Sequence, residues 1–270
     1  DMVDEELRLK AEARTLAPRY PKETQVVAID STSLALGHIP DGIVGAIRAS
    51  VVVKPANESK WRLERYGPHL VTITEQEKDA LYQELYRTVH GIETRPRVLD
   101  LSGSLEQTRN LFERYIQQEV VQNYKNGLIL LDGSLVAAAI IKPSSFVKTV
   151  LDQARDSNNS IAAISKTTKL TLEQSRRNIL TLLEGIRGPC YVGEVKNHIK
   201  RNRDRYLGDI YVARFTPLGE PFRVDLPENA RESQVEILNS ISGLAGDHGY
   251  PEELRLAHMT CVLSAIEVLE

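Results

Sequence analysis

Two aspartates stand where apolar runs give way to small polar residues. Leu128-Ile129-Leu130-Leu131-Asp132-Gly133-Ser134-Leu135 reads as a buried strand that ends in Asp-Gly-Ser, and Val26-Val27-Ala28-Ile29-Asp30-Ser31-Thr32 repeats the pattern earlier in the chain. A carboxylate delivered by the end of a rigid strand is a metal or phosphate address. Two of them close in space can share cations across a scissile phosphate, because Mg²⁺ and Mn²⁺ prefer hard oxygen ligands. The implied chemistry is phosphoryl transfer. Either aspartate alone reads equally well as an Asx turn or a helix cap; the repetition favours a shared site.

A third carboxylate is expected from a helix over 104–124, which offers Glu106, Glu113 and Glu119. Glu106 and Glu113 are seven residues apart and share a face, and Glu113 flanks an apolar stripe of Leu105, Leu111, Phe112, Tyr115, Ile116 and Val120. His258 follows Leu254 by four residues and precedes Val262 by four, which predicts a place on the buried face of the last helix. A neutral imidazole there is either a satisfied core group, a Mn²⁺ ligand or a proton shuttle. Tyr250-Pro251 puts a phenol at the start of the same helix, where a packed tyrosine before a helix-start proline is the plain alternative. Lys166 and Lys169 follow the apolar run Ile161–Ile164, where a lysine can offset phosphate charge in a transition state or simply lie in solvent.

The most basic stretch runs from Lys196 to Tyr206 and carries Lys196, Lys200, Arg201, Arg203 and Arg205 against one acid, Asp204. It is the candidate DNA-backbone contact, with Tyr206 available to stack on a base; a solvated loop is the alternative. Such a patch must act locally, because the whole chain has a net charge of only -3.

The elements that must position these groups follow from pattern. Helix formers over 4–17 run into Pro18 and Pro21, a short leading helix. Val26–Asp30, Ile43–Val53 and Trp61–Thr72 read as three strands joined by turn formers, an antiparallel meander. Thr74 and Glu77 form a capping box for a helix to about His90. Asn126-Gly127 ends the 104–124 helix, and the pattern then alternates: strand 128–132, helix 144–156, strand 161–164, helix 172–185. Helical crossovers between short apolar strands imply parallel neighbours. A hairpin over 211–224 turning at Pro217–Glu220 and two closing helices, 230–242 and 252–269, complete the chain. Three meandering strands followed by alternating helices and strands give an α/β fold of ribonuclease H-like order, a mixed sheet flanked by helices. One domain over 1–270 is expected, with 1–22 as leading helix and linker.

At 270 residues, 41% apolar and 26% charged, the chain has ample material for a core. The two cysteines, Cys190 and Cys261, show no CxxC spacing and no secretory segment precedes them, so neither a disulfide framework nor a cysteine zinc site is expected, and a reducing cytoplasm fits. No apolar run reaches the roughly 20 residues needed to span a bilayer. The sequence begins at Asp1 rather than Met, and a few preceding residues are expected.

Ile29-Asp30-Ser31, Leu131-Asp132-Gly133-Ser134-Leu135, Ser165-Lys166 and Gly249-Tyr250-Pro251 with Leu256-Ala257-His258 resemble, in that order, the motifs of the NurA family of prokaryotic nucleases. The resemblance spans 26–265. It implies a Mn²⁺-dependent nuclease, with Mg²⁺ as the alternative ion, that degrades single- and double-stranded DNA 5′ to 3′ and cuts single strands internally. It further implies a homodimer that works with the hexameric HerA translocase in resecting broken DNA ends. Carried over by position, Asp30 and Asp132 are metal ligands, Tyr250 and His258 complete the site, Lys166 stands beside it, and the helix glutamate falls at Glu113, with Glu106 and Glu119 as alternatives. The first motif departs from the usual Asp-Gly-Ser by reading Asp-Ser-Thr, and Glu252-Glu253 is a second departure, in the last motif. Two rivals remain at this point: an actin-like ATP-binding phosphotransferase, which lacks its two similar lobes and glycine-rich adenosine motif here, and a non-catalytic adaptor of a hexameric ATPase. The adaptor would use the 4–17 helix and the surface of the Ser104 helix as interaction faces.

Overall fold

A computed structural model describes residues 2–93, 98, 100–137, 142–199, 203–228, 232–264 and 266–267, with the backbone alone of 2–4 and 203. In chain order the elements are α1 (Met2–Ala11), β1 (Arg14–Thr15), β2 (Gln25–Ile39), β3 (Gly42–Lys54), β4 (Arg62–Thr74), α2 (Lys78–His90) and α3 (Leu101–Asn123). They continue with β5 (Gly127–Asp132), α4 (Ser144–Asp156), β6 (Ser160–Ser165), β7 (Cys190–Val192), β8 (Asp209–Arg214), β9 (Phe222–Leu226), α5 (Gln234–Leu244) and α6 (Glu252–Cys261). One sheet holds all nine strands in the order β1-β7-β8-β9-β6-β5-β2-β3-β4. β2, β3 and β4 form the expected antiparallel meander; β2, β5 and β6 are parallel; β8 and β9 are the expected hairpin, which joins the sheet antiparallel to β6.

Strand alternation divides the core in two. Val26, Ala28, Leu128, Leu130, Ala162 and Ile164 face α5 and α6 through Ile237, Leu238, Ile241, Leu254 and Ala257. The intervening Val27, Ile29, Ile129, Leu131, Ile161 and Ala163 face α2, α3 and α4 through Tyr86, Leu111, Ile116, Val120, Phe146 and Val150. Helices on both faces explain why the β5 and β6 sequences are continuous apolar runs rather than alternating ones. Among the described residues no helix is long and apolar enough to cross a membrane.

Several boundaries differ from the sequence expectation. The helix predicted over 172–185 does not form. Leu170 and Leu172 are both buried at strand-like period two, Leu172 bridges Ile199, and Arg176 takes a positive φ of 56° in a turn closed by Leu172 N to Arg177 O at 2.9 Å. Asn178 then accepts from Leu180 N at 3.0 Å and donates to the Thr168 carbonyl at 2.7 Å, so only a 3₁₀ turn, Ile179–Leu183, follows. Local Asn bonding has displaced helix propagation. The leading helix stops at Ala11 because Arg14–Thr15 pair with β7. It packs on its own chain: Leu9 is buried, Glu5 meets His198 Nδ1 at 2.8 Å, and Glu6 pairs with Arg177 at 2.9 Å. Glu77 N donates to Thr74 Oγ1, which in turn donates to the Glu77 carboxylate, but Thr74 is the last residue of β4 and α2 begins at Lys78 with Glu77 as its N-cap, three residues later than a Thr74-capped helix would start. The penultimate helix starts at Gln234 behind a Ser233–Glu236 capping box, and the last one ends at Cys261, where Val262 turns to extended backbone.

Candidate active site

Asp30 and Asp132 sit on neighbouring parallel strands, each one residue past Ile29 and Leu131, the last paired rung of β2 and β5. Alternation puts both on the α5–α6 face. β5 ends at Asp132, whereas β2 does not end at Asp30: it runs on to Ile39 as a ribbon because Ser31 to Ile39 keep pairing with Ala49 to Gly42 of β3. The sequence expectation of two strand ends is thus corrected to one. Asp30 lies at the edge of the parallel region because its neighbour stops, not because its own strand does.

The turn after Asp132 is tightly held. Gly133 adopts φ 121°, a region open chiefly to glycine, and its N–H donates to Ile164 O at 2.9 Å while Ser165 Oγ donates to its carbonyl at 2.5 Å. Leu135 N donates to Asp225 Oδ2 at 3.0 Å, and Lys142 Nζ donates to Ser134 O at 2.8 Å. Asp225 is itself buried and bound by Arg223 through two bonds of 2.6 Å each.

Around the pair the other groups converge. His258 Nδ1 lies 2.7 Å from Asp30 Oδ2, and Ser31 N donates to Asp30 Oδ1 at 2.8 Å. The His258 side chain is 55% exposed, which corrects the expected buried placement: the buried line on α6 is Glu253, Leu254, Ala257 and Cys261, and His258 stands at its edge, on the cleft lip. Tyr250 is buried, its hydroxyl has no hydrogen-bond partner among the described residues, and Lys166 carries its ammonium 4.3 Å from the ring centre. Lys166 is otherwise exposed, as is Lys169.

Glu113 arrives from the opposite face of the sheet. It accepts from Ser31 Oγ, from Arg109 at 3.0 Å and from Gln117 at 3.3 Å. Glu106 is exposed beside Arg109, and Glu119 accepts from Asn123 in solvent, so Glu113 is the helix glutamate that reaches β2.

Burial raises the Asp132 pKa, and the nearby Asp30 raises it further, against the opposing pull of Lys166, His258 and Arg109. Glu113 is raised by burial, with Arg109 and Ser31 working against the shift and Asp30 adding to it. The Tyr250 hydroxyl is raised by burial, then by Asp132 and Asp30. These residues fit a divalent cation. Repelling carboxylates, an adjacent imidazole and an orphaned buried hydroxyl are a donor set that such an ion would satisfy.

The basic segment is only partly drawn together. Lys196 pairs with Glu228 at 3.3 Å, and Arg205 is exposed. Lys200 and Arg201 lie outside the described residues, and Arg203 is described by its backbone in a short 3₁₀ turn. Leu207 N donates to Leu135 O at 3.1 Å and Ala137 N to Arg205 O at 2.7 Å, so the end of this segment runs beside the chain leaving the Asp132 turn.

Arg109, Lys142 and the Arg223–Asp225 pair are not among the residues the sequence marks, and Cys261 is named there only to be set aside as a zinc ligand. The Arg223–Asp225 pair had a visible signal, two charges within the apolar strand Phe222–Leu226; Cys261 had its spacing of three from His258.

The fold is of a class, an α/β mixed sheet of ribonuclease H-like order flanked by helices. The family model of the NurA domain matches residues 24–263, and the chain belongs to the NurA family. Among solved structures it is similar to the NurA nuclease from Sulfolobus solfataricus, at 15% identity and a TM-score of 0.62, over 98% of this chain and 87% of that one. It also matches another NurA structure, at 10% identity and a TM-score of 0.57 over 97% and 89% of the two chains. A third, NurA with manganese, matches at 9% identity and a TM-score of 0.51 over 100% and 92%. Comparison with curated protein sequences gave no match.

Proposed function

We propose that this nuclease is a Mn²⁺-dependent deoxyribonuclease that degrades DNA 5′ to 3′ and cuts single strands internally, as a homodimer of single-domain subunits working with a HerA-type hexameric ATPase in cytoplasmic DNA-end resection. The observation that carries the reading is the carboxylate pair one residue past the last β2–β5 rung, with the unpartnered Tyr250 hydroxyl buried beside it. Family membership and the manganese-bound relative support the choice of ion; the HerA partnership, the dimer and the repair role rest on the family resemblance.

Asp30, Asp132, Glu113 and His258 would hold the metal. When bound, the ion supplies Lewis acidity at the phosphate and a lowered pKa for an attacking water. Asp30 and Asp132, on paired strands that cannot shift without breaking the sheet, would hold the cation in place, and the phosphate would be positioned through that cation rather than by the carboxylates themselves. Ser31, Arg109 and Gln117 orient Glu113 through three hydrogen bonds. Lys166 offsets charge gathering on the phosphate oxygens. His258, half exposed and hydrogen-bonded to Asp30, is in the alternative to metal ligation the proton donor to the leaving 3′ oxygen. Tyr250, whose buried hydroxyl lies near Asp132 and Asp30, would serve as a hydrogen-bond donor there. Lys196, Arg205 and, by sequence, Lys200, Arg201 and Arg203 carry the DNA backbone toward the cleft.

End-labelled single-stranded DNA incubated with Mn²⁺, Mg²⁺ or EDTA, with Asp132→Ala alongside, tests the reading. Cleavage with Mn²⁺ that vanishes in the variant supports it; cleavage that persists in EDTA or in Asp132→Ala refutes it.

A further inference from the structure

His258 and Cys261 are three residues apart on α6, a spacing that turns both side chains to one side of the helix. Opposite them on β2 stands Asp30. One ligand atom from each of these residues, a carboxylate oxygen, an imidazole nitrogen and the Cys261 sulfur, all lie within 4.8 Å of one another. Cys261 is fully buried and donates to the His258 carbonyl at 3.2 Å, which fixes its sulfur between helix and strand. His258 is the open side of the group, so an ion can enter from the cleft.

Oxygen, nitrogen and sulfur in one small cluster are a different donor set from the oxygen-rich one that suits Mn²⁺. Thiolate and imidazole favour borderline-soft ions, and along the divalent series Zn²⁺ outranks Mn²⁺ at any such site. Three protein ligands with a fourth position left to water is a coordination that Zn²⁺ adopts readily. We infer that Asp30, His258 and Cys261 form a Zn²⁺-selective site that overlaps the hydrolytic centre, sharing Asp30 and His258 with it, so that Zn²⁺ holds the enzyme in an inactive state. Binding releases the Cys261 thiol proton to solvent and forms one metal–sulfur bond. The inhibitory consequence rests on the proposed nuclease function; the metal site itself does not. It departs from the expectation of no cysteine zinc site, which rested on the two-cysteine count, the absence of CxxC and the absence of a secretory segment.

The test uses Co²⁺ as a spectroscopic stand-in on the full chain without DNA. The wild-type protein should bind Co²⁺ with a near-ultraviolet thiolate-to-cobalt charge-transfer band that Zn²⁺ displaces. Cys261→Ser and Cys261→Ala should lose the band, and Cys190→Ser should keep it, with thermal melts confirming that each variant is folded. Bound Co²⁺ without the band in the wild type, or a band that survives in both folded Cys261 variants, overturns the site. In a second arm, Zn²⁺ is titrated into Mn²⁺-supported cleavage, where Cys261→Ser should raise the inhibiting Zn²⁺ concentration at least about tenfold. An unchanged midpoint overturns the inhibitory role. Absence of any wild-type cleavage would instead strike the nuclease reading, while leaving the cobalt result to stand or fall alone.

Discussion

Lys166 holds its ammonium 4.3 Å from the centre of the Tyr250 ring, so one residue's charge and the other's ring form a single unit at the mouth of the cleft. Tyr250→Phe keeps the ring and the cation–π contact and removes a buried hydroxyl that has no partner among the described residues. An unsatisfied buried hydroxyl costs about 1–3 kcal/mol. The variant should therefore melt no lower than the parent, while cleavage falls about 10²-fold if the hydroxyl donates in the reaction. Thermal melts and single-turnover cleavage measured together check this. Normal cleavage would remove Tyr250 from the chemistry.

Asp132→Asn should separate stability from function. Burial first and Asp30 second raise the Asp132 pKa above the ordinary carboxylate range. A raised acid keeps its proton in the fold at pH values where the unfolded chain has already ionised. Stability is thus lost as pH rises from the unfolded value, about 4, through the folded one. At neutral pH the ionised group works against the fold, and Asp132→Asn should melt at or above the wild-type temperature, the difference shrinking as the pH falls toward about 4. Mn²⁺ should reverse the order, raising the wild-type melting temperature in a concentration-dependent way and leaving the variant nearly unmoved. An equal Mn²⁺ shift in both proteins would falsify the assignment of Asp132 as a ligand.

The Arg223–Asp225 pair lies almost wholly out of solvent, and Asp225 also accepts the Leu135 N–H that follows the Asp132 turn. Asp225→Ala strands a buried guanidinium and an amide together. The expected loss is about 3–5 kcal/mol in unfolding free energy, the usual consequence of breaking a buried pair from one side. Denaturant titration measures it. A loss below about 1 kcal/mol would mean that water reaches Arg223.

Which features could be read from the residues follows from how local their causes are. Helix α4 is legible at 144–156 and strands β5 and β6 to within a residue, because an apolar run or stripe bounded by Asn-Gly, Pro or Asp-Gly is set by its own neighbours. The 172–185 helix failed because Leu170 and Leu172 are claimed by a distant partner, Ile199, and Asn178 bonds its own turn. The position of Asp30 within a continuing strand was hidden for a similar reason, since it depends on β3 rather than on β2. The spacing that puts His258 on α6 does not give its depth, because a four-residue interval marks a stripe and not its edge. Glu113 was singled out by its place beside the stripe, yet its link through Ser31 and Arg109 joins elements far apart in the chain.

Lys142 offers a check on the turn that carries Asp132. Burial first, with help from Arg114, brings its ammonium down to about 8 from the model-peptide 10.5, while its Nζ donates to the Ser134 carbonyl. A cation whose folded pKa lies below its unfolded one binds fewer protons in the fold between those two values. Stability therefore rises with pH across that window, and the unfavourable contribution is greatest below pH 8. Lys142→Met should flatten the rise between pH 8 and about 9.5, before tyrosine ionisation intervenes, and should cost cleavage activity by loosening Ser134. Unfolding free energies of both proteins at matched pH give the slope directly. Parallel slopes would mean that Lys142 is well solvated and that the Asp132 turn is held by Asp225, Ile164 and Ser165 alone.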